Sequence, residues 1–221
     1  MRTKALLGLA ALAVGLSTSV AQNVYSLNVV GYVNVSLQAN KLHFLSLPVV
    51  PVDGNFDITN TIVLDDSQNN ANLFRWAGSA WDSNVPQWYA GAGWYPDTVI
   101  SNGVGFFLAS AANSTLTFVG QVPQGALAYN IPAGLSTLAN QVPVSANFPG
   151  ATIGNANDNM FTWDLTAQAW SSAVWQYYGG VGWNAGGAND SLDGPMLNPG
   201  DAVFYLNGGG AIPFVQNFTV Q

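Results

Sequence analysis

From Val24 to Leu37 the chain alternates. Tyr25, Leu27, Val29, Val33, Val35 and Leu37 fall on one parity, and Ser26, Asn28, Asn34 and Ser36 on the other. A period of two is the mark of a half-buried strand, because successive side chains point to opposite faces. Similar apolar runs span residues 42–50, 73–76, 105–109, 115–119, 126–131, 160–163, 202–206 and 213–220. Between them lie Asn-, Asp- and Gly-rich clusters at 65–70 and 154–159, whose residues favour turns. No segment after residue 21 carries a 3.6-residue apolar stripe with helix caps, so the pattern predicts an all-β protein.

One stretch of this pattern occurs twice. The run from Trp81 to Trp94 returns from Trp170 to Trp183, with bounding tryptophans at the same spacing and a shared Tyr-x-Gly-x-Gly-Trp ending. The match extends outward. Phe74 and Trp76 answer Phe161 and Trp163, Leu42 and Leu45 answer Leu135 and Leu138, and Phe106-Phe107-Leu108 answers Phe204-Tyr205-Leu206. The segment from Gly31 to Leu37 answers Gly125 to Ile131. Internal self-similarity of this kind sets the architecture. It predicts two tandem β-sandwich-like repeats, residues 22–120 and 121–221. Only the short junction from Gly120 to Gly125 lies between them, so they should pack closely.

The amino terminus predicts export. Met1-Arg2-Thr3-Lys4 is basic, Ala5 to Leu16 is apolar, and Ser19-Val20-Ala21 has the small-x-small form of a cleavage site. Residues 1–21 therefore read as a cleaved signal peptide. The apolar stretch falls short of the roughly 20 residues that span a bilayer. No later segment is long and apolar enough to insert, which predicts a secreted protein, extracellular or at the cell surface.

Composition narrows the partners. Charged residues make up 7% of the chain, against about 25% in ordinary domains. After residue 21 the cations are Lys41 and Arg75, and the single histidine is His43. Nucleic acid and anionic lipid are excluded as partners, since both require clustered Lys and Arg. With no cysteine, no disulfide holds the exported fold. The surface must be built from Asn, Ser, Thr, Gln and Gly, which suits lateral association or sugar contact.

Val24 to Leu37 is longer than the usual 3–10 residues of a strand. A bend at Gly31 would keep both parts in one domain. Alternatively, Val24, Tyr25, Leu27 and Val29 would pair with the open edge of another molecule, joining copies by strand addition into a homo-oligomer or homopolymer.

The chemistry of catalysis is sparse. A serine triad requires a histidine base, and His43 sits between Leu42 and Phe44 on a predicted strand, the setting of a core or edge residue. The aspartates lie in turns, where capping is their ordinary role. The clusters at 65–70 and 189–194 offer oxygen ligands for calcium but lack the Asp-x-Asp-x-Asp-Gly loop, so no metal or other cofactor is expected. Recognition falls to the aromatic runs. Trp88, Tyr89 and Trp94, with Trp175, Tyr178 and Trp183, could form two platforms that stack on sugar rings and bind a glycan bivalently. The competing role for these rings is cross-strand and core packing. Asn-x-Ser/Thr sequons stand at Asn34, Asn113, Asn189 and Asn217.

The opening from Asn23 to Val35, the Phe44-x-x-Leu47-Pro48 stretch and the junction from Phe118 to Gly125 resemble a group of exported two-repeat β proteins of verrucomicrobial type. The resemblance spans the whole chain after residue 21. It implies secretion and a repeated β fold, and brings no activity. The group's Gly-Glu-Gly-Phe-Phe is Gly103-Val104-Gly105-Phe106-Phe107 here, so its acidic position is apolar. The reading that results is a non-enzymatic structural protein, a self-associating subunit of a fibre or surface layer joined through edge strands. The alternative is a bivalent carbohydrate-binding module.

Overall fold

The computed structural model describes residues 29–187 and 190–220. Residues 1–21, predicted as a signal peptide, and Val24, Tyr25, Leu27 and Asn189 lie outside those residues. Among the described residues the protein is all-β, with 46% strand and one short helix. The first half of the chain holds β1 (Val30–Leu37), β2 (Leu42–Ser46), α1 (Ile58–Thr61), a 3-10 turn (Asp66–Gln68), β3 (Asn72–Arg75), β4 (Gln87–Tyr89), β5 (Gly93–Tyr95), β6 (Gly105–Ala109) and β7 (Ser114–Gln121). The second holds β8 (Gly125–Ile131), β9 (Gly134–Ala139), β10 (Ala146–Asn147), β11 (Asn159–Asp164), β12 (Ala169–Trp170), β13 (Trp175–Tyr178), β14 (Gly182–Asn184), β15 (Met196–Leu197), β16 (Ala202–Asn207) and β17 (Ile212–Phe218).

The first half forms a β1–β7 ribbon and a sheet of order β2-β6-β3-β4-β5. The second forms a β8–β17 ribbon and a sheet whose main path is β9-β16-β11-β13-β14. Every pairing is antiparallel. In the first half the ribbon residues Val33, Leu37, Leu116 and Phe118 bury against Leu45, Leu73, Phe106 and Leu108 of the sheet. In the second, Ile131 and Phe214 close over Leu138, Met160, Val203 and Tyr205. Alternation along β1 explains its facing: Val33 and Leu37 point in, while Val30, Tyr32, Asn34 and Ser36 are exposed.

One expectation about the first strand changes. Gly31 makes no break, for it pairs with Gly120 inside a ladder that runs unbroken from Val30 to Leu37. Val29 continues that ladder, its carbonyl accepting the Val122 N–H at 2.7 Å.

The ladders also tie residues of the two halves to matching positions. Phe74 and Phe107 are cross-strand partners, as are Phe161 and Phe204. Phe44 opposes Phe107 and Thr137 opposes Phe204. By this register Phe107 matches Phe204, Phe106 matches Val203 and Leu108 matches Tyr205, one residue off the match read from the aromatic triplets alone.

The halves meet through reciprocal bonds. Trp76 Nε1 donates to the Leu135 carbonyl at 2.9 Å, and Trp163 Nε1 donates to the Leu42 carbonyl at 2.8 Å. Ser46 N–H donates to the Gly200 carbonyl at 2.8 Å, and Ala139 N–H donates to the Gly103 carbonyl at 3.0 Å. Each member of a pair occupies the ladder position of the other, as in a self-complementary twofold contact. Between these bonds lies a third core of Phe44, Phe107, Ala139, Ala202 and Phe204, with Phe44 stacked on Phe107 at 4.4 Å and on Phe204 at 5.4 Å.

Gly105 sits where β6 and β16 come closest. A Cβ there would lie 2.7 Å from the Ala202 Cβ and 2.9 Å from the Phe44 ring. Overpacking of this kind typically costs about 1–3 kcal/mol. Gly105→Ala should lower the urea midpoint accordingly, and adding Ala202→Gly should restore part of the loss. A midpoint equal to wild type in the single variant would refute this account of the seam.

Candidate functional site

The six ring residues singled out as sugar platforms are not brought together. Trp88 and Trp94 face one another across β4 and β5, T-shaped at 5.6 Å. Both are buried in the first core, and Trp94 Nε1 donates to the Ile62 carbonyl at 2.6 Å. Trp183 is fully buried in the second core and donates to the Ile153 carbonyl at 3.0 Å. Its cross-strand partner is Tyr177, while Trp175 is only partly buried against the same core. Tyr89 and Tyr178 are exposed at the ends of their strands. Trp88, Trp94 and Trp183 thus spend their faces on packing and have none to offer a sugar, which corrects the predicted platforms.

The rings that do meet solvent as a group are Trp81 and Trp170, the residues that open each repeated run. They are 44% and 42% exposed, in a cluster whose other rings are largely covered. Each is held by a hairpin: Trp81 bridges to Trp76, and Trp170 on β12 pairs with Trp163 on β11. Together they stand over the floor that Phe107 and Phe204 provide. Trp81 lies 5.6 Å from Phe107 and 5.8 Å from Phe204; Trp170 lies 5.8 Å and 5.3 Å from the same rings.

Two open clefts result. Cleft A, about 440 Å³, has Phe107 as floor and Trp163, Trp81 and Trp170 as walls, completed by Leu42, Phe74 and Ala109. Cleft B, about 430 Å³, has Phe204 as floor and Trp76, Trp81 and Trp170 as walls, completed by Leu135, Phe161 and Leu206. Every lining residue of one cleft stands at the ladder or hairpin position of a lining residue of the other. The walls rise steeply from the floor: Trp163 meets Phe107 at 79°, and Trp76 meets Phe204 at 81°. The Trp76 and Trp163 N–H groups are committed to the seam carbonyls, so these indoles present only carbon faces. Ring faces carry a negative quadrupole and attract C–H edges or cations. A cleft of this size falls within the about 300–1,000 Å³ range of small-molecule sites.

In the sequence the densest ring clusters lie elsewhere in the repeated run, so ring density does not mark this site. The usable signal was the pair of tryptophans that bound the run.

A further cavity of about 240 Å³ lies between the halves and is lined by Ser36, His43 and Asp201, among others. These are residue types of a hydrolytic triad, which is recognised by mutual geometry. That geometry is not formed, because none of the three is hydrogen-bonded to another. His43 Nε2 accepts the Gln38 N–H at 3.0 Å. An Asp201 carboxylate oxygen accepts from the Asn198 N–H at 2.9 Å and its Nδ2 at 3.1 Å. Burial pushes the His43 pKa below its ordinary 6.5, against a smaller upward pull from its backbone hydrogen bond with Gln38. Burial raises that of Asp201, against smaller downward pulls from its hydrogen bonds to Asn198. Other aspartates at the surface serve turns: Asp65 caps the 3-10 turn through the Ser67 N–H, Asp66 accepts the Gly91 N–H, and Asp193 accepts the Ala151 N–H.

Comparison of the chain with protein-family models, curated proteins and solved structures found no match.

Because the folded state holds His43 neutral, its contribution is intact above the unfolded value of 6.5 and is lost as pH falls below it. Asp201 acts oppositely, its raised pKa favouring the fold as pH drops toward the ordinary carboxylate range. The urea midpoint of wild type relative to His43→Gln should therefore decline between pH 8 and pH 5. Parallel profiles for the two proteins would show that His43 is not the group responsible.

Proposed function

We propose that this is a secreted, non-enzymatic binding protein that holds carbohydrate in the paired clefts on either side of Trp81 and Trp170. The observation that carries the reading is the twin set of ring-walled clefts, matched residue for residue. Sugar rings present C–H faces to such walls and keep their hydroxyls in water or on neighbouring amides. An apolar floor with converging rings meets the ordinary description of a small-ligand site. Two clefts sharing a pair of walls would bind a glycan chain bivalently, gaining avidity without a new contact. The matching sheet orders and reciprocal seam bonds support a chain built as two closely packed copies of one sandwich-like β unit. The basic, apolar and small-residue pattern of residues 1–21 supports export.

Wild-type protein should bind an immobilised neutral glycan, and Trp81→Ala and Trp170→Ala should each weaken binding at least about tenfold, or about 1.4 kcal/mol. Trp175→Ala should leave it unchanged. A glycan array with no signal, or variants that bind like wild type, would exclude the clefts as the site.

We propose self-association as a second property. It is favoured by the outward face of the β1–β7 ribbon, where Tyr32 is 70% exposed, beside Val30 and its cross-strand partner Val119. Exposed apolar strand faces and open edges invite pairing with further copies. Tyr32→Lys should shift sedimentation toward monomer; a purely monomeric wild type would dispose of this reading.

A further inference from the structure

The two clefts match in their rings but not in what borders them. Cleft A opens through Leu42 and Ala109 onto a polar groove of about 590 Å³ formed by Asn40, Lys41, Asn69, Asn72 and Gln168, among others. Several of these side chains retain unused hydrogen-bonding capacity. Asn72 spends its Nδ2 on the Asn70 carbonyl at 2.9 Å, leaving its side-chain oxygen open. Asn69 spends its oxygen on the Ala90 N–H at 3.1 Å, leaving its NH2 group. Lys41 Nζ donates to the Thr166 carbonyl at 3.3 Å and has two further protons. It forms no ion pair among the described residues, whereas Arg75 is paired with Asp82.

Around cleft B three of the corresponding positions are bare. Register aligns Lys41 with Gly134 and Asn40 with Ala133, and Asn69 with Ala156. It also aligns Ala109 with Leu206, whose larger side chain occupies the position through which cleft A opens onto its groove. Three polar positions survive: Asn157 stands where Asn70 stands, Asn207 where Ser110 stands, and Asn159 where Asn72 stands, the last with the same bond, Nδ2 to the Asn157 carbonyl at 2.9 Å.

We propose that cleft A and its amide groove form the primary site for a neutral oligosaccharide, with one sugar ring against Trp163 and Trp170 and the next over Asn72 and Lys41, while cleft B holds only a ring. This rests on the carbohydrate reading above and extends it to an extended, hydroxyl-rich ligand with a fixed direction. Neutral chains are favoured over acidic ones because the protein is itself strongly anionic, at −7, and one lysine cannot offset that field. Unpaired amide donors and acceptors match hydroxyls, each of which can donate and accept.

The test is isothermal titration of the full chain with cellohexaose, chitohexaose, laminarihexaose and mannohexaose, followed by the best binder against variants. Asn72→Ala and Lys41→Ala should each weaken binding about five- to tenfold. The matched control Asn159→Ala should change it less than twofold. Circular dichroism and the urea midpoint confirm that each variant is folded. If the hexasaccharide binds and depends on Trp170 but is indifferent to Asn72 and Lys41, or if Asn159→Ala weakens it as much as Asn72→Ala, the unequal-cleft proposal is overturned while the carbohydrate reading stands. If none of the four sugars binds, both fall.

Discussion

The close approach of β6 to β16 is the constraint on which the rest of the molecule depends. With no side chain at Gly105 and only a methyl at Ala202, the two sheets come near enough for Phe44 to stack on Phe107 and Phe204 together. The four reciprocal seam hydrogen bonds are each worth only about 0.5–1.5 kcal/mol net, so they set register more than they hold the halves together. The holding comes from ring burial, where each aromatic side chain removes about 150–250 Å² from water. That same arrangement makes the clefts. Phe107 and Phe204 are stacked on Phe44, while Trp81 and Trp170, with Trp163 on Phe107 and Trp76 on Phe204, stand steeply against them.

A chain so poor in charge must secure its turns by other means. Arg75 and Asp82 form the one salt bridge among the described residues. Elsewhere, buried polar side chains fasten the loop before the third strand to the hairpin beyond the sheet. In the first half Gln68 does this alone: its Nε2 donates to the Ala112 carbonyl and to Ser114, while its oxygen accepts from Ser110 and the Ala111 N–H. In the second, Asn155 and Asp158 divide the task. Asp158 accepts the Tyr205 hydroxyl at 2.7 Å and the Gly208 N–H at 2.8 Å, and burial with this bond raises the Tyr205 pKa. Satisfied buried groups of this kind specify one arrangement, since any slip would leave them unpaired.

Alternation made the longer strands legible, because half-buried strands such as β1, β7, β8 and β17 reveal their period directly. It failed for β4, β5 and β14, three residues each, which are too short to show a period among glycines. The off-by-one match of Phe106 with Phe204 has a similar origin: short apolar triplets carry no landmark until backbone pairing supplies one. The candidate site was harder still. Trp81 and Trp170 owe their role to rings from the opposite half, contacts that no local pattern encodes, whereas Trp88 and Trp183 look equally prominent in sequence and are interior. Residues of the exposed rim, such as Asn72, resemble any other loop asparagine.

On the proposed duplication, the location of the differences between the halves is itself informative. The floor and walls are locked, because rings of one half pack against rings of the other, Trp76 and Trp81 on Phe204 and Trp163 and Trp170 on Phe107, so a change on one side must be accommodated by the other. Phe107 with Phe204, Trp76 with Trp163, and Trp81 with Trp170 accordingly keep their identities. The border positions lie outside that ring packing. Lys41 against Gly134, Asn40 against Ala133 and Ala109 against Leu206 were free to part. Packing therefore preserved a common ring-lined socket, while unconstrained rims could acquire separate chemistry. A twofold scaffold arranged in this way can offer two ligands, or two units of one ligand, the same grip with unequal selectivity.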